Sequence, residues 1–333
     1  MQPIAFHDRL ELAFRHFWFR FKALLGQNIK TDKNFLAGDA ALRFTKGIIP
    51  RGTRITCSGR ADGAGKQAMA RISGINFAKA FGATYVDSPF SRLDHAPGEM
   101  EDWLNAWERR FNLGKGEEQI DGRVYDIVDY EDYLLNGRRI TDNVVLRLQQ
   151  CYWLNRRYPD TFEAIGPSLR DKFGAITRSP DKDRFVVAIH VRRGDVDQSQ
   201  NSSRFTPNAS IIRTIELIRS ILGEFNIKAT YQVHSQGKAE DFADFAKLGC
   251  ELYLDTDAIE TMQQIVEADV LVMAKSAFSY VAALISNGVK LYEPMSDPPM
   301  SSWISRRKDG SFDRARARES IQEYLEGDGT QPH

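Results

Sequence analysis

The sequence predicts an α/β protein of two Rossmann-like lobes, each built around a parallel sheet. Short apolar segments alternate with amphipathic helical segments, as in right-handed βαβ units. The run Phe185-Val-Val-Ala-Ile-His190 has no polar alternation, which is typical of a strand covered on both faces. With 333 residues the chain is long enough for two lobes. We place them at residues 1–178 and 183–333, joined by the linker Ser179-Pro-Asp-Lys182.

In the first lobe, hydrophobic spacing and glycine positions predict the elements. Strands are predicted at 54–59 and 83–88, a short strand with a following turn at 126–135, and helices at 68–82, 100–111 and 143–162. Trp103, Trp107 and Phe111 repeat at helical spacing, and this stripe is interpreted as core rather than as a sugar platform.

In the second lobe the alternation of strands and helices is clearest. Strands are predicted at 185–190, 229–235, 250–254, 270–273 and 289–293, and helices at 208–225, 239–248, 258–267, 275–285 and 314–325. This order predicts a parallel sheet with helical crossovers.

Composition excludes several classes of protein. Lys+Arg and Asp+Glu both number 45, so no basic field favours nucleic acid or an anionic membrane. The three cysteines, Cys57, Cys151 and Cys250, show no CxxC spacing, which favours a reducing compartment without a disulfide framework or a zinc site. No secretion signal is recognisable, so we expect a cytoplasmic location.

The aromatic segment at residues 10–25 is interrupted by Arg15, Arg20 and Lys22, so it is too charged to span a bilayer. The favoured interpretation is a helix packed across the domain. The alternative is a basic amphipathic helix on a membrane surface, so any membrane association is expected to be peripheral.

The segment His190-Val-Arg-Arg-Gly-Asp195 marks a candidate anion site. Ligands of parallel sheets bind just past the carboxyl ends of the strands. Arg192 and Arg193 carry the planar, permanently charged group suited to a diphosphate, and Gly194 allows a tight turn. The alternative is a solvated turn.

A second candidate is the loop 60–67, which lies between a strand and a helix and could cradle a phosphate. A P-loop would need a glycine at Arg60 and a hydroxyl residue at Gln67, and both are missing.

The segment His190-Val-Arg-Arg-Gly-Asp195 resembles the HxRRxD signature of the α1,2- and α1,6-fucosyltransferases, which include the rhizobial nodulation and animal core fucosyltransferases. Gly63-Ala-Gly-Lys-Gln67 is similar to their Gly-x-Gly-x-Gln loop. The segment 267–284 is similar to their late strand and Ser-Ser-Phe-Ser-Trp turn. The resemblance covers roughly residues 54 to 294, with the three motifs in family order.

The resemblance implies a two-lobed GT-B fold with an interlobe cleft. It also implies an inverting fucosyltransferase that uses GDP-fucose, acts on a glycan or oligosaccharide, and needs no metal or other cofactor. The residues that it assigns to the donor are His190, Arg192, Gly63, Gly65, Gln67, Ser276, Ala277 and Phe278, with Glu260 or Thr261 reading guanine. Arg192 and Arg193 are assigned to catalysis, with a structural anchor as the alternative for Arg193, because neighbouring side chains at a strand end point two ways.

The chain departs from the family at two positions. Ala277 replaces a serine of the late motif. The glutamate that the resemblance to the core fucosyltransferase implies as the base is replaced by Gln200. Asp195 or Asp197 is then the candidate base, or departure of GDP dominates the reaction. For Asp195 the favoured alternative is a clamp on Arg192 or on the loop, without proton transfer.

Three other functions remain open at the level of sequence. A metal-dependent transferase would use Asp195-Val-Asp197 or Asp255-Thr-Asp257, and a P-loop-like kinase or sulfotransferase would use 62–67. An inactive relative would bind the nucleotide sugar without turnover. Display of Arg193-Gly-Asp195 for adhesion is disfavoured by its place at a strand end.

Overall fold

Two parallel β-sheets organise the chain, one in each of two units, Met1–Ile165 and Gly166–His333. The structure, a computed structural model, describes residues 33–94, 96–120, 125–137, 139–152, 163–173 and 184–328. It also describes Leu10, Ala13, Phe14, Phe17, Phe21, Leu154, Tyr158 and Thr161. The predicted α/β class with two parallel sheets is confirmed.

The sheet of the first unit has the strand order β3-β2-β1-β5-β4, with every pairing parallel. The strands are β1 (Arg54–Cys57), β2 (Thr84–Asp87), β3 (Glu118–Gln119), β4 (Asp126–Asp129) and β5 (Val144–Leu148). The helices are α1 (Lys33–Thr45), α2 (Ala64–Phe81), α3 (Met100–Phe111) and α4 (Tyr130–Asn136). Trp107 is 1% exposed and stacks on Phe111 at 5.0 Å between ring centroids, so these two residues of the aromatic stripe are core, as predicted, whereas Trp103 is half-buried.

Strand β5 replaces the start of the helix predicted over 143–162, and that prediction is wrong there. The strand pairs with β1 on one side and with β4 on the other. The spacing of Val144 and Leu148 fits either a helix or a strand. Adjacent β-branched valines and burial on both faces decide for the strand.

The sheet of the second unit has the order β11-β10-β9-β6-β7-β8, again parallel throughout. Its strands are β6 (Phe185–His190), β7 (Ala229–Ser235), β8 (Glu251–Leu254), β9 (Val270–Val272), β10 (Val289–Tyr292) and β11 (Ile304–Ser305). Its helices are α5 (Gly166–Phe173), α6 (Asn208–Glu224), α7 (Ala243–Lys247), α8 (Ala258–Glu267), α9 (Ala277–Ile285) and α10 (Arg314–Asp328), with 3₁₀ turns at Ser202–Arg204 and Ala239–Phe242.

The alternation of side chains along β6 separates two faces of this sheet. Val187, Ile189 and Val191 join an apolar cluster that includes Ile211 and Ile215 of α6. His190 lies between these positions and contacts α9 on the opposite face. The strand therefore sends its apolar residues into the core and its last polar residue towards α9.

The order of the strands defines where a ligand is expected. After β6 the chain adds β7 and β8 on one side and then returns to add β9 on the other side of β6. In open α/β sheets such a reversal opens a crevice at the carboxyl ends of the two strands. The segments that follow β6 and β9, residues 191–195 and 273–276, both begin at this crevice.

The boundary between the units falls at Ile165 and Gly166 rather than after residue 178. Helix α5 belongs to the second unit because it contacts α9. The first lobe is thus shorter than predicted. The predicted linker at 179–182 lies outside the described residues.

The described apolar residues of the N-terminal segment are helical and exposed. Leu10, Phe14, Phe17 and Phe21 keep 43% to 68% of their surface accessible, which is more than expected for the apolar side of a helix packed across the domain. The rest of 10–25 lies outside the described residues. In the part of the chain that is described, no helix is long and apolar enough to cross a membrane.

Candidate anion-binding site

Arg192 lies at the crevice of the second sheet, directly after β6. Its Nη2 donates to Asp195 Oδ2 at 2.7 Å, and its Nη1 lies 3.5 Å from the hydroxyl of Ser276, which follows β9. Its Nε is buried and meets no acceptor among the described residues. A buried N–H without a partner costs about 1–3 kcal/mol, which an anionic oxygen could offset.

Helix α9 begins beside this guanidinium. Ser276 is its N-cap, with a hydroxyl that accepts the N–H of Phe278 at 3.2 Å. Ala277 and Phe278 are the first two helical residues. The first-turn N–H groups and the positive end of the helix dipole suit an anion, although Ala277 supplies no hydroxyl. Arg192 and the start of α9 thus combine two kinds of anion donor.

His190 lies at the end of β6 and is held by α9. Its Nδ1 makes a short hydrogen bond with the Ser279 hydroxyl, and its ring packs on Phe278 with 5.4 Å between centroids. Burial, the charge of Arg192 and neighbouring His234 lower the pKa of His190 to about 3. The imidazole is therefore neutral near pH 7, when it has one N–H to donate.

Arg193 points away from this crevice. Its guanidinium donates to the carbonyls of Arg192 and Thr206, and to Asn208 Oδ1 at 2.7 Å, and it lies 4.4 Å from the ring centroid of Phe205. Burial lowers its pKa. These contacts fasten the start of α6 to β6, so the geometry gives Arg193 an anchoring role rather than the catalytic one predicted.

The two aspartates predicted as bases are both engaged with the protein. Burial raises the pKa of Asp195, but the hydrogen bond and charge of Arg192 outweigh it, and the net pKa is lowered. Asp197 accepts the N–H groups of Gln200 and Ser199 at 2.6 Å each, and these bonds lower its pKa. Both carboxylates are therefore hydrogen-bonded within the protein, and the assignment of either one as the base stays a prediction.

Gly194 is required by the turn between Arg192 and Asp195. Its φ of +82° lies in the left-handed region, and a Cβ there would stand 2.5 Å from Gln236 Oε1. The sequence predicted this turn correctly.

The first unit has a corresponding reversal between β1 and β5, and the predicted loop lies there. Arg60 pairs with Asp62 and donates to Gln150 Oε1 at 2.6 Å. Gln67 is buried, and its amide donates to the carbonyls of Asp62 and Arg92 at 2.6 and 2.7 Å. This glutamine therefore fastens two loops together, where a P-loop would present a hydroxyl to magnesium.

Gly63 and Gly65 lie at the start of α2, which belongs to the same loop. Gly63 is the N-cap with extended backbone, φ −64° and ψ 157°, and Gly65 is buried in the first turn. Because the N-cap is a glycine, no cap side chain accepts a first-turn N–H group of α2. Their assignment to the donor stays a prediction.

Glu260 is exposed in the first turn of α8, at the carboxyl edge of the second sheet. Asp257 caps this helix by accepting the N–H groups of Ile259 and Glu260 at 2.9 and 3.0 Å. Asp255 Oδ2 accepts the N–H of Gly237 at 3.2 Å. In the second DxD pair, Asp257 thus caps a helix and Asp255 accepts a loop N–H. Over the described ranges no cluster of three or more His, Cys, Asp or Glu side chains is placed to hold a metal ion.

Sequence reasoning missed two residues of this region. Lys275 Nζ lies 3.5 Å from both Glu293 Oε1 and the carbonyl of Phe205, and Ser279 contacts His190. Lys275 could have been noticed as a cation next to the N-cap. Ser279 lies within the segment that resembles Ser-Ser-Phe-Ser-Trp, but its contact with His190, 89 residues away, leaves no local signal.

The chain is similar to solved structures only, and at low TM-scores. No protein-family model matches the chain, and no curated protein does. Among solved structures, the chain is similar to E. coli heptosyltransferase WaaC with ADP-2-deoxy-2-fluoro heptose, at a TM-score of 0.38 and 12% identity over 82% of this chain and 98% of that one. A second structure, E. coli heptosyltransferase WaaC with ADP, matches at a TM-score of 0.37 and 11% identity, over 82% of this chain and 96% of that one. These scores are too low to support a conclusion about fold or substrate.

Proposed function

We propose that the protein is a glycosyltransferase that uses a nucleotide sugar, with GDP-fucose as donor and a glycan or oligosaccharide as acceptor. One observation carries the proposal. The buried, unpaired Nε of Arg192 and the start of α9 lie at the switch point of a parallel sheet, where a diphosphate is expected. Arg192 and the start of α9 both belong to the second unit.

The chemistry follows from these donors. When a nucleotide sugar reacts, negative charge accumulates on the leaving β-phosphate. Arg192 and the first-turn N–H groups of α9 would stabilise this charge, and one such preorganised donor is worth about 100- to 1000-fold in rate. Neutral His190 adds a further N–H donor at the strand end.

The choice of guanine and fucose rests on the resemblance of residues 190–195 to HxRRxD. Glu260 supports the choice of guanine, because an exposed carboxylate at the start of α8 can accept the N–H groups of a guanine edge. Inversion at the anomeric carbon is part of the same proposal.

Activation of the acceptor is the step with the least support from the described side chains. Because Asp195 and Asp197 both accept hydrogen bonds from the protein, we propose that the bond between the anomeric carbon and GDP breaks first, through an oxocarbenium-like transition state. The bonding electron pair leaves with GDP, the acceptor oxygen bonds to the anomeric carbon, and the acceptor proton passes to water.

Other observations favour a second candidate, a protein that binds the nucleotide sugar without turnover. Both aspartates are held by hydrogen bonds, and Ala277 lacks the hydroxyl of the family motif. Binding and turnover must therefore be tested separately.

The binding test is a thermal-shift panel of GDP, GDP-fucose, GDP-mannose, UDP and ADP. We expect GDP and GDP-fucose to raise the melting temperature and UDP and ADP to leave it unchanged, because a ligand stabilises only the state that binds it. Equal stabilisation by all five would contradict a guanosine site.

The turnover test measures GDP release from GDP-fucose with candidate oligosaccharides. Acceptor-dependent release that survives a chelator supports the transferase, and release abolished by the chelator favours the metal-dependent alternative. Tight binding without release with any acceptor favours the binding protein.

A further inference from the structure

We propose that Ser279 is a positioning residue that fixes His190 as the Nε2–H tautomer, so that the imidazole acts as a hydrogen-bond donor at the anion-binding crevice. The identity of the anion rests on the proposed function. The tautomer itself rests only on the contacts within the second unit.

The hydrogen bonds of Ser279 determine the direction of its hydroxyl. The side chain is fully buried, and its Oγ accepts the N–H of Ala274 at 3.1 Å. The same oxygen lies within hydrogen-bonding distance of His190 Nδ1. Among the described residues the hydroxyl contacts no other acceptor. Its single hydrogen must therefore be donated to His190 Nδ1.

The opposite tautomer leaves a buried hydrogen without a partner. If His190 carried its proton on Nδ1 and donated it to Ser279, the hydroxyl oxygen would accept twice and its own hydrogen would be buried without an acceptor. Buried polar hydrogens are almost always bonded, so this arrangement is disfavoured. An acceptor at Nδ1 requires the proton of a neutral imidazole to lie on Nε2.

The surroundings of His190 keep the ring in this orientation. Phe278 packs on it from the residue before Ser279, and His234 is its paired neighbour on β7. Both contacts on the α9 side come from the helix whose N-terminus forms the crevice. The imidazole donor and the first-turn N–H groups of α9 are thus held by one element.

The first measurement is direct and needs no ligand. Long-range ¹H–¹⁵N spectra of the full chain with ¹⁵N-labelled histidine distinguish the protonated from the unprotonated ring nitrogen, and His190→Gln identifies the signals of His190 by their loss. We expect a protonated Nε2 and an unprotonated Nδ1 at pH 7.5. A proton on Nδ1 would overturn the proposal.

The second measurement tests the consequence for binding, with GDP as the probe. We expect Ser279→Ala to weaken GDP about tenfold, which corresponds to one hydrogen bond. The control is Ser286→Ala, which removes a buried hydroxyl at the other end of α9 that bonds only Gly288 N–H among the described contacts. It should leave GDP affinity unchanged.

A double substitution separates positioning from a general loss of structure. The amide of His190→Gln donates without needing a tautomer, so Ser279→Ala should have no further effect on GDP affinity in that background. A full tenfold loss there would show that Ser279 acts independently of His190 and would overturn the proposal. If wild-type protein binds no GDP, the proposed function fails, while the tautomer measurement still decides this inference.

Discussion

At the scale of single residues, Arg192 and Arg193 are neighbouring arginines at a strand end that make different contacts. Successive side chains of an extended strand point to opposite faces. Arg192 reaches Ser276 across the crevice, whereas Arg193 binds the Thr206 carbonyl and Asn208 at the start of α6. Among the described residues the Nε–H of Arg192 meets no acceptor, whereas the guanidinium of Arg193 donates to three protein oxygens.

This difference predicts opposite effects of the same substitution. Arg192→Lys should weaken GDP binding at least tenfold with little change in melting temperature, because an ammonium cannot form paired bonds to a diphosphate. Arg193→Lys should lower the melting temperature and leave GDP affinity close to wild type. Calorimetric titration with GDP and thermal melts of both variants check this. Equal losses of affinity would contradict the division.

Part of this arrangement could be predicted from the sequence. Arg192 at the strand end and Gly194 in the turn follow from an apolar run that stops at charged residues. The anchoring of Arg193 depends on Asn208, 15 residues further on, and so on the packing of α6. The contact between Ser279 and His190 could not be predicted, because only the folded sheet brings β6 and β9 together.

At the scale of elements, the ends of β6, β7 and β8 carry a row of aligned rings. In the backbone register, His190 of β6 lies opposite His234 of β7, and His234 lies opposite Tyr253 of β8. The rings of His234 and Tyr253 stack, with 5.0 Å between their centroids. His234 is fully buried, and neither ring nitrogen meets a partner among the described residues. Burial lowers its pKa to about 4.

This shift predicts a pH dependence of stability. An unfolded histidine has a pKa of about 6.5, so between pH 4 and 6.5 the unfolded chain binds more protons than the folded one. The free energy of unfolding therefore falls as the pH falls through this window, and His234 has no effect above it. At pH 5.5 its share of the loss is about 1 kcal/mol.

His234→Phe should remove that share, since phenylalanine keeps the stack on Tyr253 without a titrating group. We expect the loss of stability from pH 7.5 to pH 5.5 to shrink by about 1 kcal/mol in urea titrations followed by circular dichroism. Tyr253→Phe is the control, and its loss should equal that of wild type. An unchanged loss in His234→Phe would mean that His234 is protonated in the folded state.

The elements also show which sequence signals decide a prediction. Strand 229–235 and helices 100–111 and 258–267 were predicted to the residue, because their periodicity is flanked by clear stops. Strand β5 was mistaken for a helix since its short apolar run fits both periods, and only pairing with β1 and β4 resolves it. Helix α1 was missed because its start at Lys33 follows a polar, lysine-containing segment.

At the scale of the whole molecule, each unit has its own sheet and its own buried residues. In the second unit, the apolar cluster joins β6, β7 and α6 around residues such as Ile189, Val233 and Ile215. In the first, Trp107 and Phe111 are buried with Phe77. A unit that has a core of its own can unfold in a step of its own.

The tryptophans can report these steps separately. Trp303 is 3% exposed and packs on Tyr280 and Tyr292 in the second unit, with ring centroids 4.9 and 6.0 Å away. Trp107 is buried in the first unit. With 5-fluorotryptophan incorporated, ¹⁹F spectra assigned by single Trp→Phe substitutions follow both residues through one urea titration.

Because the proposed site lies in the second unit, GDP should stabilise that unit alone. At GDP one hundred times above its dissociation constant, the free energy of unfolding reported by Trp303 should rise by about 2.7 kcal/mol, while that reported by Trp107 stays constant. UDP at the same concentration is the control and should shift neither. If GDP raises both values equally, either the units unfold as one cooperative body or GDP also contacts the first unit, as predicted for Gly63 and Gly65. If it raises only that of Trp107, the nucleotide binds to the first unit, and the assignment of the crevice at Arg192 is wrong.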